Sequence, residues 1–550
     1  MQAHEGDVYQ RRSIKSSDIF FQLFLIFAML ITSSRMIELK TVSTTSLGSY
    51  RSVPFIRIEG EALGELSPTE TIPDLVKAQR NARGNIEYKT RFILTTPENP
   101  LQSNGALLID IPNRGLPISH AFYNSPRARP LMIGSLDAGI GFLQEQGFMT
   151  VAVQWELAQG IEPPCFFDDA GSKRFIEATG FAAVRDLSRY LRDSQQSDNP
   201  LAGAVKRVFA AGYSQTSRFL KSFLLNGFNV VDGKQVINGF HLVGGAAGQL
   251  PLMDSGAGPA SVASSTPAPP NLEHRGVHEE PFSYDQVVAK LKARGESPPK
   301  IFVAHFHIDY MGGRASLTRT GAHGTTDIAL PAEVRMYDLA GAAHLNVREK
   351  NKECELFHGQ LDWSPPLRAQ LVALHQWVSN DIEPPPSCLM SLRLPRADET
   401  VFLAPQYLPG ATVLVPRTDT DGNPIGGIQV PDVAVPLGTH GRPNGPSTLA
   451  ICRLAGSYQP FFSLKQEREQ AQDPRLSLEE RYPGGLNQYL QRVREVSDQL
   501  VVQRYLLAED AAVIVNAAAE ETLFKPTPTL AIFRSHGNLY QNRINGVTQS

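Results

Sequence analysis

The chain has 550 residues, enough for two or three average domains, and its 42% hydrophobic and 19% charged residues describe an ordinary globular core. With 52 Lys and Arg against 55 Asp and Glu, the net charge of −3 gives no electrostatic reason to expect nucleic acid or anionic lipid as a partner. The 40 prolines and 44 glycines argue against a helical bundle and for a loop-rich fold, and no repeat of fixed period is present.

Arg11, Arg12 and Lys15 precede an apolar run at residues 20–31, in which Gln22 is the one polar member. The run is too short to span a bilayer comfortably and has the length of a signal-peptide core, although Arg35 directly follows the small residues Thr32-Ser33-Ser34. Export, to a periplasm or out of the cell, is therefore expected. A membrane anchor through residues 20–31, left uncleaved, is the alternative, and a hydrophobic tail on a cytosolic protein the third reading. Residues 1–50 are taken as this signal or anchor segment and a linker.

From Val53 onward, alternation in Phe55-Ile56-Arg57-Ile58-Glu59 and Ile86-Glu87-Tyr88-Lys89 predicts antiparallel strands. Between about Gly105 and Asn380, strand-like runs alternate with helical patterns, which implies a mostly parallel sheet flanked by helices. Strands are predicted at 106–111, 148–155, 208–212, 300–309 and 334–339, and helices at 175–194 and 366–379. Residues 251–299 break the pattern around a Ser-, Ala- and Pro-rich centre at 261–270, and read equally as a lid-like insertion or a flexible linker. Pro384-Pro385-Pro386 closes a core of residues 51–388. The extension of residues 389–550 is first rich in Pro and Gly. After a capping box at Ser477-x-x-Glu480 it is largely helical from Leu486 to Ala519. Asp419-Thr420-Asp421-Gly422-Asn423 starts like a calcium loop but carries Val430 where the loop needs glutamate, so it reads as a turn.

The chemistry concentrates at Val208-Phe209-Ala210-Ala211-Gly212-Tyr213-Ser214-Gln215-Thr216. An apolar strand entering a Gly-x-Ser turn and leaving as a helix exposes the serine hydroxyl, and turns the next N–H, that of Gln215, toward a developing oxyanion. Thr216 stands where the motif usually ends in glycine. A serine needs a base and an acid to orient it, and His344 and Asp309 follow in that order, acid then histidine, each near a strand's C-terminal end, where open α/β sheets bind ligands. Asp327 and Asp338 compete for the role of acid, and His305 and His307 for that of base, although both histidines precede the acid and lie within a strand. A second oxyanion donor is expected in the loop Asn113-Arg114-Gly115 after the 106–111 strand, where Arg114 also adds positive charge.

These stretches, with Gly180-Phe181-Ala182-Ala183-Val184-Arg185-Asp186-Leu187, Asp309-Tyr310 before Gly313-Arg314-Ala315-Ser316-Leu317, Ala340-Gly341-Ala342-Ala343-His344, Asp421-Gly422-Asn423 and Asp473-Pro474-Arg475, resemble the large bacterial-type α/β-hydrolase domain family, mostly serine esterases by expectation. The resemblance runs from about Val53 to about Ala519. It implies the α/β-hydrolase fold, with Ser214 as nucleophile, His344 as base and Asp309 in an acidic position often filled by glutamate. Departures fall at Met311, where relatives carry tryptophan, at Ser217, where they carry glycine, and at Gly441-Arg442-Pro443-Asn444, which replaces a Gly-Trp-Asn segment.

The expected function is hydrolysis of a small-molecule carboxylic ester through an acyl-enzyme, with no metal or organic cofactor required. An amidase or acyltransferase on the same residues is the alternative, and an exported, catalytically silent binding protein of the same fold the rival from another class. The oligomeric state is left open. Of the four cysteines, Cys354 and Cys388 flank the helix after the histidine loop and could bridge in an oxidising compartment, while Cys165 and Cys452 look isolated.

Overall fold

The computed structural model describes residues 34–524, apart from 128–129, 249, 251–282, 322, 346–352, 398, 400–410 and 446–448. The apolar run at 20–31 and the 261–270 centre of the insertion lie outside the described residues. Among the described residues no helix is long and apolar enough to cross a membrane.

A ten-stranded sheet organises the chain. Its strands are β1 (Arg35–Tyr50), β2 (Val53–Leu66), β3 (Ile86–Pro97), β4 (Ala106–Asp110), β5 (Met149–Val153), β6 (Arg207–Tyr213), β7 (Gly239–Val243), β8 (Lys300–Phe306) and β9 (Val334–Leu339), with the short strand Ile161–Glu162 beside β3. They lie in the order β1-β2-β3-β5-β4-β6-β7-β8-β9. The first three pair antiparallel, as does β3 with β5, and every pairing from β5 to β9 is parallel. The chain thus leaves β4 toward one side to form β5 and returns to the other side to form β6. That reversal makes the gap between β4 and β6 the topological switch point, where open sheets bind ligands outside the carboxyl ends of their strands.

The linker expected up to residue 50 is corrected here: Arg35–Tyr50 is a strand of the sheet. Much of it is exposed Ser and Thr without an alternating apolar face, so periodicity does not reveal it.

The parallel strands are buried on both sides, and alternate residues enter opposite cores. In β6, Val208 and Ala210 join one cluster while Phe209, Ala211 and Tyr213 join the other; in β8, Ile301 and Val303 separate in the same way from Phe302, Ala304 and Phe306. The first face is covered by the helices α1 (Thr179–Asp193), α2 (Gln215–Leu225) and α3 (Tyr284–Ala293). Phe219 of α2 stacks on Phe181 of α1 with centroids 4.2 Å apart and meets Trp155 at 4.6 Å.

Two further helices matter for the site: α4 (His307–Gly312) follows β8 directly, and α5 (Ser364–Asn380) covers the second face. The C-terminal region adds α6 (Ala450–Ala455), α7 (Gly485–Val502) and α8 (Ala508–Ala519). Tyr489 and Val493 of α7 and Ile514 of α8 share the second core with Leu367 and Leu371 of α5. Arg368 of α5 meets Asp510 of α8 in a buried ion pair and donates to the carbonyls of Tyr123 and Ser125. The sheet's far edge is also closed: the Asp338 N–H donates to the Cys388 carbonyl, and the Ile428 and Ala340 N–H groups exchange bonds with Asp338 and Ile428. Covering an edge strand in this way removes a template for unwanted pairing.

Candidate active site

Ser214 lies between β6 and α2 with φ 54° and ψ −111°, a backbone conformation that costs a residue with a side chain about 1–3 kcal/mol. The surroundings over-determine it. The Ser214 N–H donates to the Val243 carbonyl at 2.9 Å, and Asn113 Nδ2 donates to the Tyr213 carbonyl at 2.8 Å. Thr216 Oγ1 accepts from the Tyr213 N–H at 2.9 Å and donates back to its carbonyl at 3.1 Å. The threonine in place of a glycine therefore closes the turn instead of loosening it. Gly212 remains indispensable, because a Cβ there would stand 2.5 Å from the Thr216 carbonyl oxygen. On the other side of α2, Gly245 gives way to Ser217: a Cβ on Gly245 would stand 2.3 Å from the Ser217 hydroxyl.

His344 and Asp309 come together. Asp309 Oδ1 lies 2.7 Å from His344 Nδ1, and both side chains are buried. The strand predicted to reach Asp309 ends at Phe306, and Asp309 occupies the first turn of α4. Its second oxygen there accepts the Phe306 N–H at 2.9 Å. His344 is fixed from several directions: its ring stacks on Tyr213 with centroids 4.9 Å apart, Tyr213 OH donates to its backbone carbonyl, and its backbone N–H donates to the Leu454 carbonyl at 2.9 Å. The last contact comes from α6, so the C-terminal extension helps hold the histidine loop.

The competing acids have other partners. Asp338 accepts from Tyr310 OH, Arg319 and the Met390 N–H, and Asp327 pairs with Arg319. Burial raises the Asp338 carboxyl to about 6, against the pull of Arg319. His305 Nε2 meets Thr318 Oγ1 at 3.0 Å, and burial pulls both His305 and His307 down to about 4.

The Asn113-Arg114-Gly115 loop is closed on itself, with Asn113 N–H and carbonyl bonded to Leu116, and Gln154 Nε2 donating to the Gly115 carbonyl at 2.9 Å. Arg114 adopts φ 54°. Beside it stands Glu156, a buried carboxylate that the sequence reading did not single out; its Oε1 accepts from Gln215 Nε2 at 3.3 Å. Burial raises the Glu156 carboxyl, opposed by the Gln215 bond and by Arg114. Glu156 Oε2 and Gln215 Oε1 are buried without a hydrogen-bond partner.

The cysteine pairing differs from expectation. Cys354 bonds to Cys452, 98 residues away, while Cys388 and Cys165 are free. The bridge ties the segment after the histidine loop to α6, the same helix whose Leu454 carbonyl holds the His344 N–H. Among the described residues no group of three or more His, Cys, Asp or Glu is arranged to hold a metal ion.

Residues 151–516 match the family described as alpha/beta hydrolase domain. The chain belongs to that family. The matched region takes in Ser214, Asp309 and His344 and begins within β5, after the Asn113–Gly115 loop. The α/β-hydrolase fold follows from this match and from the sheet order described above. A search of curated proteins returned no significant match. Among solved structures, similarity is found to the rice cell wall degrading esterase LipA from Xanthomonas oryzae, at 12% identity over 38% of this chain and 49% of that one, with a TM-score of 0.21. The glucuronoyl esterase from Solibacter usitatus aligns at 12% identity over 54% and 78% with a TM-score of 0.25. Tannin acyl hydrolase from Aspergillus niger aligns at 12% over 39% and 33% with a TM-score of 0.20. The chain thus spans about half the length of LipA, and likenesses this distant carry no argument about activity.

Proposed function

We propose that the chain is a serine hydrolase that cleaves carboxylic esters, with Ser214 as nucleophile, His344 as general base and Asp309 orienting the imidazole. One observation carries this reading: a strained Ser214 at the switch point of the sheet, in a fold whose buried His344 is held through Nδ1 by Asp309 at 2.7 Å. A serine hydroxyl is unreactive without a base, and an imidazole whose Nδ1 is committed to a carboxylate offers Nε2 for the serine proton.

In the first step Ser214 Oγ bonds to the ester carbonyl carbon as His344 Nε2 takes its proton. The tetrahedral oxyanion then collapses, the carbon–alkoxy bond breaks, and His344 returns the proton to the leaving alcohol. Water repeats the sequence and releases the acid. Gln215 supplies one oxyanion donor, since the first residue of a helix has no preceding turn to accept its N–H. The side chain and N–H of Asn113 are already engaged, which leaves the Arg114–Gly115 backbone as the source of the second donor.

The same reading takes the hydrolase core from β1 at Arg35 to residue 388, and the described residues from 389 to 524 as an extension packed against it. A disulfide beside the site supports an oxidising compartment and therefore export.

Purified protein is expected to hydrolyse short p-nitrophenyl esters, and Ser214→Ala to lower kcat by at least about 10³-fold with an unchanged unfolding midpoint. Labelling by a fluorophosphonate, mapped by mass spectrometry, should fall on Ser214. An alanine variant with full activity, or labelling elsewhere, overturns the assignment.

A further inference from the structure

The guanidinium of Arg218 has an unusual position for this molecule. The Arg218 backbone N–H donates to the Ser214 carbonyl at 3.2 Å, so Arg218 sits one helical turn after the nucleophile and on the same face of α2. It is only partly exposed, and among the described residues it forms no ion pair. Its charged neighbour is a second cation: burial, with Arg114 nearby, pulls Arg218 down to about 10.

The fully buried arginines are treated differently. Arg185 pairs with Glu70 and Asp186, Arg319 with Asp327 and Asp338, and Arg368 with Asp510. A charge partly withdrawn from water without a counter-ion carries a cost, which a ligand carrying the opposite charge would offset. Three positive groups, Arg114, Arg218 and Lys221, and one negative group, Glu156, meet here. Arg114 is influenced by the Glu156 carboxylate, and that carboxylate does not reach Arg218 as a partner. Lys221, one turn further on, feels the Arg218 charge but donates to the carbonyls of Ala246, Ala247 and Gly248, so its own ammonium is already solvated by the backbone. The excess charge therefore rests on Arg218, flanked by Arg114, beside Ser214.

We propose that Arg218, with Arg114, receives a carboxylate carried by the substrate, so that the preferred substrates are acidic esters such as half-esters of small dicarboxylic acids. This rests on Ser214 being the nucleophile. One helical turn separates Ser214 from Arg218 by about 6 Å along the axis, which suits a carboxylate a few carbons from the scissile carbonyl. The planar guanidinium matches a carboxylate with two parallel hydrogen bonds.

The test compares p-nitrophenyl hemiglutarate with p-nitrophenyl pentanoate, which has a methyl group in place of the carboxylate, after subtraction of each spontaneous rate. Wild-type kcat/KM should favour the hemiglutarate by about 10- to 100-fold, mainly through KM, and the preference should shrink as salt is added. Arg218→Gln should bring the ratio of the two esters close to one, and Arg218→Lys should restore part of it. A wild-type ratio at or below one overturns the inference even if Arg218→Gln fails to fold, as does an undiminished ratio in a folded Arg218→Gln. Equal cleavage of both esters with fluorophosphonate labelling at Ser214 sinks this inference alone. Absence of both cleavage and labelling sinks the nucleophile assignment as well. If Ser214 is labelled but neither ester turns over, protection of the label by glutarate and not by pentanoate supports the inference, and equal protection or none refutes it.

Discussion

The two sides of Ser214 are built on opposite terms. Toward β8 and β9, the carboxylates that hold the histidine side together are paired: Asp309 uses one oxygen on the imidazole and the other on the Phe306 N–H, and Asp338 is surrounded by Tyr310, Arg319 and Met390, while the neutral rings of His305 and His307 each leave Nδ1 without a partner. Toward β4 and β5, Arg218 lacks a carboxylate, and Glu156 and Gln215 each bury an oxygen without a hydrogen bond. A satisfied network resists rearrangement and keeps its geometry, whereas unsatisfied buried groups raise the energy of the free protein and lower it again when a ligand binds. The first side is thus suited to holding reacting groups still, and the second to receiving a substrate.

The largest effect should come from breaking the satisfied side. Asp309→Asn keeps the shape and the acceptor for the Phe306 N–H, but its amide faces the His344 Nδ1 with the wrong donor pattern on one of its two flips. Loss of the orienting carboxylate should lower kcat by about 10³- to 10⁴-fold while KM changes little. Steady-state kinetics on p-nitrophenyl esters measures this. A loss smaller than about tenfold would mean that Asp309 only supports α4 and that the acid lies elsewhere.

A smaller effect is expected where the two sides meet. Asn113 comes from the substrate side, yet its amide holds the Tyr213 carbonyl one residue before the nucleophile. Asn113→Ala removes that donor and leaves Thr216 Oγ1 as the side-chain donor on the Tyr213 carbonyl, with the Ser214 N–H still bonded to Val243. Stability should drop by about 1 kcal/mol, and kcat by roughly 10- to 100-fold because the serine is less well held. Urea unfolding and turnover of the same preparation check both figures. An unchanged kcat alongside the lost stability would separate the loop from the chemistry.

How far the sequence reveals this division depends on the range of each contact. The elbow is local: an apolar run, Gly212, Ser214 and a helix-compatible continuation lie within a dozen or so positions, so β6 and α2 could be recognised directly. Asp309 and His344 could be ordered along the chain because each follows a strand-like run. The predicted strand overruns β8 by three residues, since His307-Ile308-Asp309 looks as β-prone as the residues before it, whereas Asp309 caps a helix there by accepting the Phe306 N–H. β7 escaped notice because Gly-Phe-His-Leu-Val is short and carries no alternation. The Cys354–Cys452 bridge spans 98 residues, and loop spacing says nothing about which distant segment folds back. The meeting of Arg114, Glu156 and Arg218 is of the same kind. Each lies on a different segment, and the missing counter-charge becomes visible only once the sheet has brought them together.

The smallest effect on turnover, and one read in stability instead, concerns the floor of the substrate side, where Asp110 ends β4. Its carboxylate accepts from the N–H groups of Ile118 and Ser119 and from the Ser119 hydroxyl, closing the loop that carries Asn113 and Arg114. Burial raises its carboxyl from 3.8 to about 6, partly offset by those donors. The folded protein therefore holds a proton on Asp110 that the unfolded chain has released between about pH 4 and 6. The Asp110 contribution is fully present below the unfolded value and is lost as pH rises through about 6, with a slope of at most about 1.4 kcal/mol per pH unit. Asp110→Asn cannot titrate, so the stability difference between wild type and variant should shift in the variant's favour over this window and level off above it. Urea unfolding of both proteins from pH 4 to 7 reads the difference. A flat difference would mean that the surrounding donors hold the carboxylate ionised throughout, and that the substrate side rests on a fixed negative charge beneath its cations.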